Sequence, residues 1–274
     1  MTTDDLAREQ RDYWNGKSGE RWASEQARTD RNLAQIGLVI IDRAEPRPTD
    51  RVLDVGCGCG TTTFQLRAQA QAAHGIDISA PMIAVAREKA VGSDVTFELA
   101  DAATHAFTPT YDLVFSRFGV MFFADPVAAF ANLRRALAPG GRLAFVCWRA
   151  LADNPWAAAP LAACKDLLPP MTPPDPTAPG PFAFADRDRV VGLLERAGWR
   201  PTIERVDTTM DLGTVEDAVV SALSIGPLAR AAAELPEATR AQIVARMPAV
   251  YARYKSERGV VFPAAVWIVT AAAI

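Results

Sequence analysis

The 274-residue chain is 50% hydrophobic and 22% charged with a formal net charge of −3, the balance of a globular protein long enough to bury a sizeable core. A mildly acidic chain lacks the basic surface that binding a phosphate backbone requires, which excludes nucleic acid as a partner. Cys57, Cys59, Cys147 and Cys164, with His74 and His105, are too few and too irregularly spaced for a disulfide framework or structural zinc.

The first 22 residues are polar and lack the apolar run of a signal peptide, and no later stretch offers about 18 uninterrupted apolar residues. A cytoplasmic protein with no membrane partner is expected. Residues 1–44 are read as a helical cap. They carry Tyr13, Trp14, Arg21 and Trp22 among few aliphatic side chains, and rings with polar edges suit a partly wet cleft. The plainer alternative is an amphipathic helix docked on the core.

From residue 51, short β-branched or apolar runs alternate with helical patterns, which predicts a parallel sheet with crossover helices. Strands are expected at 51–55, 73–77, 95–99, 111–116 and 142–148. A helix is expected at 61–71. The next has Ser79 as cap, Pro81 in its first turn and Met82, Ile83, Val85 and Ala86 along it. Asp125-Pro126 opens another, with Val127, Phe130, Leu133 and Leu137 at helical spacing, and Pro139-Gly140-Gly141 stops it. The Pro-rich run 169–181 is read as a surface loop or flap. A capped helix at 186–197 ending on Gly198, a strand at 202–208, and helices over 214–256 broken at Gly226-Pro227, Pro236 and Pro248 follow. The closing run 260–270 reads as a strand, with a bulge at Pro263.

The expected fold is therefore α/β: a doubly wound, mostly parallel seven-stranded sheet with helices on both faces. An N-terminal helical cap precedes it, and helical insertions form a lid. Residues 45–148 make the ligand-binding core. Residues 149–274 complete the same domain, with lid insertions at about 149–185 and 213–257.

Between the first strand and its helix lies Asp54-Val55-Gly56-Cys57-Gly58-Cys59-Gly60. Glycines there let backbone approach a ligand closely, and free N–H groups at the following helix start favour a carboxylate or phosphate. A bare structural turn is the alternative. Asp77, roughly twenty positions on at the end of the second strand, is placed to accept hydrogen bonds from ribose hydroxyls. It could instead cap the next helix, a role Ser79 is already expected to fill.

These residues resemble the class I S-adenosylmethionine (SAM) dependent methyltransferases, in the branch that acts on small molecules. The resemblance covers most of residues 50–150: DVGCGCG matches the family's acidic-x-Gly-x-Gly-x-Gly loop, and Asp77 in GIDIS, Asp101 in ELADA and the LAPGG turn match later positions. The resemblance implies SAM as cofactor, contacted at the loop by Asp54, Gly56, Cys57 and Gly58. It implies that Asp77 holds the ribose, that Ile78, Asp101 and Ala102 surround the adenine, and that Ser116 and Arg117 contact the methionine part. It also implies that Trp14 or Trp22 covers the cofactor, while Arg21 pairs with the methionine carboxylate or is a solvated surface residue.

The loop spacing differs from the Gly-x-Gly-x-x-Gly of nicotinamide-binding proteins. The residues after the fourth strand, Ser116-Arg117-Phe118-Gly119, lack the Asn/Asp-Pro-Pro-aromatic motif of base-amino methyltransferases. Asp112 sits at the start of its strand, so no metal is expected. Cys57 and Cys59 are assigned to packing within the loop. Phe118, Trp148, Arg149, Asn154 and Trp156 lie near where a small-molecule acceptor enters, and line its pocket or belong to the core. His105, four residues past Asp101, is the one histidine placed as a general base, and a solvated loop histidine is its alternative. The rival functions are a nicotinamide-dependent oxidoreductase on the same fold and a non-catalytic SAM-binding subunit.

Overall fold

In the computed structural model, which describes residues 2–170, 175–224 and 226–274, a single sheet organises the chain. The strands β1 (Arg51–Val55), β2 (Ala72–Asp77), β3 (Thr96–Leu99), β4 (Tyr111–Arg117) and β5 (Leu137–Trp148) are parallel to one another. β6 (Trp199–Asp211), the two-residue β7 (Lys255–Ser256) and β8 (Gly259–Ala273) complete it, with β8 antiparallel between β5 and β6. The order is β3-β2-β1-β4-β5-β8-β6, with β7 pairing only β8. Strand order reverses between β1 and β4, so their carboxyl ends open a crevice. β1 is buried from Val52 to Val55, as an interior parallel strand covered on both faces must be.

The cap comprises α1 (Thr3–Asn15), α2 (Lys17–Ser24) and α3 (Gln26–Ala44). These helices are unequal. α3 buries Leu33, Ile36, Ile40 and Ile41, one apolar stripe at helical spacing packed into the main core. α1 buries no residue and α2 only Gly19, so polar and aromatic contacts hold both in place.

Around the sheet follow α4 (Thr61–Arg67), α5 (Ala80–Lys89), α6 (Pro126–Arg135), α7 (Pro155–Ala163) and α8 (Arg187–Arg196). Beyond β6 come α9 (Val215–Ser224), α10 (Pro227–Ala231) and α11 (Glu237–Tyr251). Asp125 and Asp186 cap α6 and α8 by accepting backbone N–H groups.

Several local expectations are corrected. The helix after the glycine loop ends at Arg67. β5 starts at Leu137, and Pro139-Gly140-Gly141 lies within it, absorbed by a register shift against Tyr111 and Leu113. Pro248 lies inside α11 rather than ending it. Pro263 produces no bulge: it pairs in register with Thr209, at a position β5 does not reach, so its missing N–H breaks no bond on that side. Ser79 occupies the cap position of α5 without a side-chain bond to the helix. Of the Pro-rich loop, residues 171–174 lie outside the described residues. Among the described residues, no helix is long and apolar enough to cross a membrane.

Candidate functional site

At the end of β1, Asp54 is fully buried, and its Oδ2 accepts the hydroxyls of Thr62 and Thr63, each at 2.7 Å. Its Oδ1 is buried with no partner, and burial pushes the carboxyl pKa up to about 6. Gly56 has φ +67°, and a Cβ there would lie 2.7 Å from Gly119 Cα. This glycine makes room for the loop after β4 rather than for a ligand. Gly58, with φ +55°, faces only Met82 Sδ at 3.6 Å, so the open side of the loop is there. Cys57 packs with Ile83 and Phe97, and burial raises its thiol pKa well above the ordinary value.

Asp77, buried at the end of β2, fastens this loop. Its Oδ2 accepts Gly58 N–H and its Oδ1 accepts Ser79 N–H, both at 2.8 Å. Burial raises its pKa despite these bonds. The sequence alternatives therefore merge: Asp77 both braces the start of α5 and lies at the crevice. The Ser79 hydroxyl instead donates to the Trp14 carbonyl at 2.7 Å. Asn15 donates to the Ile78 carbonyl at 3.0 Å and accepts Ala80 N–H at 2.9 Å, so the end of α1 sits directly on the β2 turn. After β3, Asp101 accepts Ala103 N–H at 3.0 Å and lies 3.7 Å from Arg11, while the buried Ala102 accepts from Asn132 through its carbonyl at 3.0 Å.

At β4, Ser116 donates to the Val55 carbonyl at 2.7 Å and accepts Gly119 N–H at 3.1 Å, which engages its hydroxyl in joining β1 to β4. Arg117 is largely buried, with its side chain 13% exposed, and burial lowers its pKa. Its counter-ion is Asp30 of α3 at 3.7 Å, beyond hydrogen-bonding distance. Asp30 accepts from Thr61 at 2.7 Å and from Gln26 at 3.0 Å. Gln65 Oε1 is also buried without a donor. Gly37 on α3 faces the same cluster: a Cβ there would lie 3.5 Å from Arg117 Nη1 and 4.0 Å from Gln65 Oε1. Two buried acceptors without donors, each costing about 1–3 kcal/mol, beside a cation held off its partner suit a ligand that carries both an ammonium and a carboxylate. Asp30 was missed in the sequence because α3 shows nothing but helical periodicity.

Trp14 meets Phe122 edge-on at 5.0 Å and Trp22 at 6.0 Å. The Arg21 guanidinium donates to the Leu223 and Ser224 carbonyls at 3.4 and 3.5 Å, at the end of α9. The His105 side chain lies against β3. Its Nδ1 turns back to Glu98 at 3.7 Å, the carboxylate that His74 approaches at 3.6 Å, and its ring meets Phe107.

On the acceptor side, Phe118 adopts φ +64°, a strained conformation for a bulky residue, and stacks on Trp148 at 4.3 Å with planes 11° apart. Trp148 meets Trp156 at 4.8 Å. Two sequence candidates are engaged elsewhere. Arg149 is buried and pairs with Asp207 and, at 3.0 Å, with Asp153, so it offers a substrate no free charge. Asn154 bonds the Arg149, Ala150 and Ala265 carbonyls, Ala265 N–H and Trp156 Nε1, tying the β5 exit to β8.

Residues 52–141 match the family described as a methyltransferase domain. Over 108 residues the chain is 36% identical to phosphoethanolamine N-methyltransferase 1 of Triticum aestivum, covering 38% of this chain and 22% of that protein. It is 36% identical over 117 residues to aklanonic acid methyltransferase of Streptomyces sp. (40% and 53%), and 40% identical over 108 residues to demethylmenaquinone methyltransferase of Thermus thermophilus (38% and 49%). The matches thus span about half the length of these relatives or less. Among solved structures, YcgJ of Bacillus subtilis aligns with TM-score 0.56 at 17% identity, covering 86% of this chain and 96% of that one. Phosphoethanolamine N-methyltransferase 2 of Haemonchus contortus in complex with S-adenosyl-L-methionine aligns with TM-score 0.58 at 19% identity, covering 96% and 59%. At these identities the likeness concerns the fold.

Proposed function

We propose that this chain, whose core is a class I methyltransferase domain, is a SAM-dependent methyltransferase acting on a small molecule. The observation that carries the reading is the cluster between β1, β4 and α3, where Arg117 stands off Asp30 and the buried Asp54 Oδ1 and Gln65 Oε1 lack donors. An amino-acid moiety would satisfy all of them, with Arg117 receiving the carboxylate and Asp30 and Asp54 the ammonium. Asp77 would accept the ribose hydroxyls beside the open face of Gly58, with Ile78, Asp101 and Ala102 around the base. When bound, the sulfonium supplies an already activated methyl group.

The protein's own task is then orientation and exclusion of water. α1 and α2 form the lid over the cofactor, anchored through Trp14, Asn15 and Ser79. Residues 45–148 provide the cofactor half, and residues 149–274 complete the domain and carry the acceptor insertions at about 149–185 and 213–257. A cytoplasmic location accords with four buried free cysteines, and a net charge of −3 accords with an acceptor that is not nucleic acid.

Calorimetry and thermal melting with S-adenosylhomocysteine (SAH) and with NAD test this. SAH is expected to bind and to stabilise by about 2.7 kcal/mol at one hundred times its dissociation constant. Tight NAD binding with no response to SAH would overturn the assignment.

A further inference from the structure

We infer that the acceptor is a neutral, planar aromatic molecule bearing a hydroxyl, held between α3, α7 and α9–α10; this rests on the methyltransferase reading and specifies its second substrate.

A cavity of about 40 Å³ lies there, lined by Trp156, Pro160, Met210, Leu212 and Leu228 among other apolar residues, with Asn32 and Ser221 its polar lining groups. Among the described residues, no charged side chain lines it. It continues the aromatic wall that begins at the crevice, since Phe118 stacks on Trp148, and Trp148 meets Trp156. Flat faces presented in series favour a flat ligand that stacks on them.

The polar groups define the rest of the ligand. The Asn32 amide donates to the Arg28 and Asp211 carbonyls at 3.0 Å each, and its oxygen accepts the Ser221 hydroxyl at 3.2 Å. Both N–H donors of Asn32 are thereby engaged, and Ser221, its proton given to Asn32, retains lone pairs that accept from a ligand hydroxyl.

Charge excludes the alternatives. None of the arginines on the neighbouring elements lines the cavity: Arg149 pairs with Asp207 and Asp153, Arg28 and Arg31 lie 3.6 and 3.4 Å from Asp217, and Arg21 donates to the α9 carbonyls. A phosphate or carboxylate entering this cavity would meet no cationic side chain in its described lining, and burying it unpaired is costly. The cavity is far smaller than the roughly 300 Å³ of an ordinary ligand site, so α9–α10 must move outward to admit the ring. Besides the buried Asn32–Ser221 bond, the polar ties that hold this pair of helices to α2 and α3 are partly exposed ion pairs and long hydrogen bonds, each of a strength of about 0–1 kcal/mol.

Titration of the 274-residue chain with 2-naphthol, followed by tryptophan fluorescence with SAH present, tests this. 2-Naphthol is expected to bind, naphthalene to bind at least fivefold more weakly, and 2-naphthoate and phosphoethanolamine not to compete. Ala222→Leu, which fills the cavity from α9, should abolish 2-naphthol binding while leaving SAH affinity and the melting transition unchanged. Ser221→Ala should weaken 2-naphthol at least fivefold and leave naphthalene unaffected. Preference for the charged probes, or 2-naphthol binding indifferent to both substitutions, would overturn the inference. SAH calorimetry on the same samples separates the two claims: loss of SAH binding defeats the methyltransferase reading, whereas SAH binding without 2-naphthol binding defeats this inference alone.

Discussion

Asp77 and Asp54 show how differently two buried carboxylates at neighbouring strand ends behave. Asp77 has both oxygens on backbone N–H groups, so replacing it affects loop geometry and ligand together. Asp77→Asn keeps one acceptor but turns an amide N–H₂ toward a backbone donor. The expected outcome is SAH binding weaker by about 1.5–3 kcal/mol with a modestly lower melting temperature, read by calorimetry and thermal melting. Unchanged affinity would remove Asp77 from the ribose contact.

Asp54 has a carboxyl pKa raised to about 6, chiefly by burial, against 3.8 for the ordinary group. Between those values the folded protein binds more protons than the unfolded chain, so the carboxyl's contribution to stability is undiminished below pH 3.8 and falls as pH rises through 6. Asp54→Asn removes that dependence. Relative to the variant, the wild type should lose about 2 kcal/mol of stability between pH 4 and pH 7 in the absence of ligand, measured by urea unfolding across pH. A parallel pair of stability curves would show that Asp54 ionises normally.

Among the elements, the three N-terminal helices divide by burial. α1 and α2 bury almost nothing, while α3 is a wall of the main core. Deletion of residues 1–24 should leave cooperative melting and near-native circular dichroism, weaken SAH binding at least tenfold and abolish turnover, because an open site admits water. Deletion of residues 1–44 also removes Leu33, Ile36, Ile40 and Ile41, each such side chain contributing about 1.5–3 kcal/mol by burial, and should not fold. If the shorter deletion unfolded the protein, α1 and α2 would be structural. Wild-type turnover from it would end the lid reading. α2 and α3 also reach across the molecule, since Arg21 of α2 and Arg28 and Arg31 of α3 contact α9.

At the scale of the whole molecule, Cys57, Cys59, Cys147 and Cys164 are all free and buried, spread from the glycine loop through β5 to the end of α7. They report on global opening. In native buffer a thiol reagent should label them only at the rate of unfolding, with four equivalents reacting promptly in denaturant, and SAH should slow the native reaction in proportion to its stabilisation. Rapid native labelling would reveal a local opening that the close packing does not suggest.

The parallel half of the sheet was legible in the sequence because each element there follows a local rule: a continuous apolar strand, a capped helix, a glycine turn. Asp54, Gly58 and Asp77 were legible for the same reason, standing at strand ends in a fixed pattern. Pro263 and Pro248 were misread because the consequence of a missing N–H depends on which neighbour lies opposite, and sequence does not specify neighbours. The roles of Arg21, Arg149, Asn154 and His105 were likewise decided by partners far along the chain: the α9 carbonyls, Asp207, Ala265 and Glu98. The sequence by itself determined the strand–helix alternation and the glycine loop, since periodicity and turn chemistry act locally. Only the tertiary structure decided that Asp30 faces Arg117, that Gly56 yields space to Gly119 rather than to a ligand, and that an uncharged cavity adjoins the aromatic wall. Each of these is a meeting of side chains from different elements, and such meetings are fixed by packing.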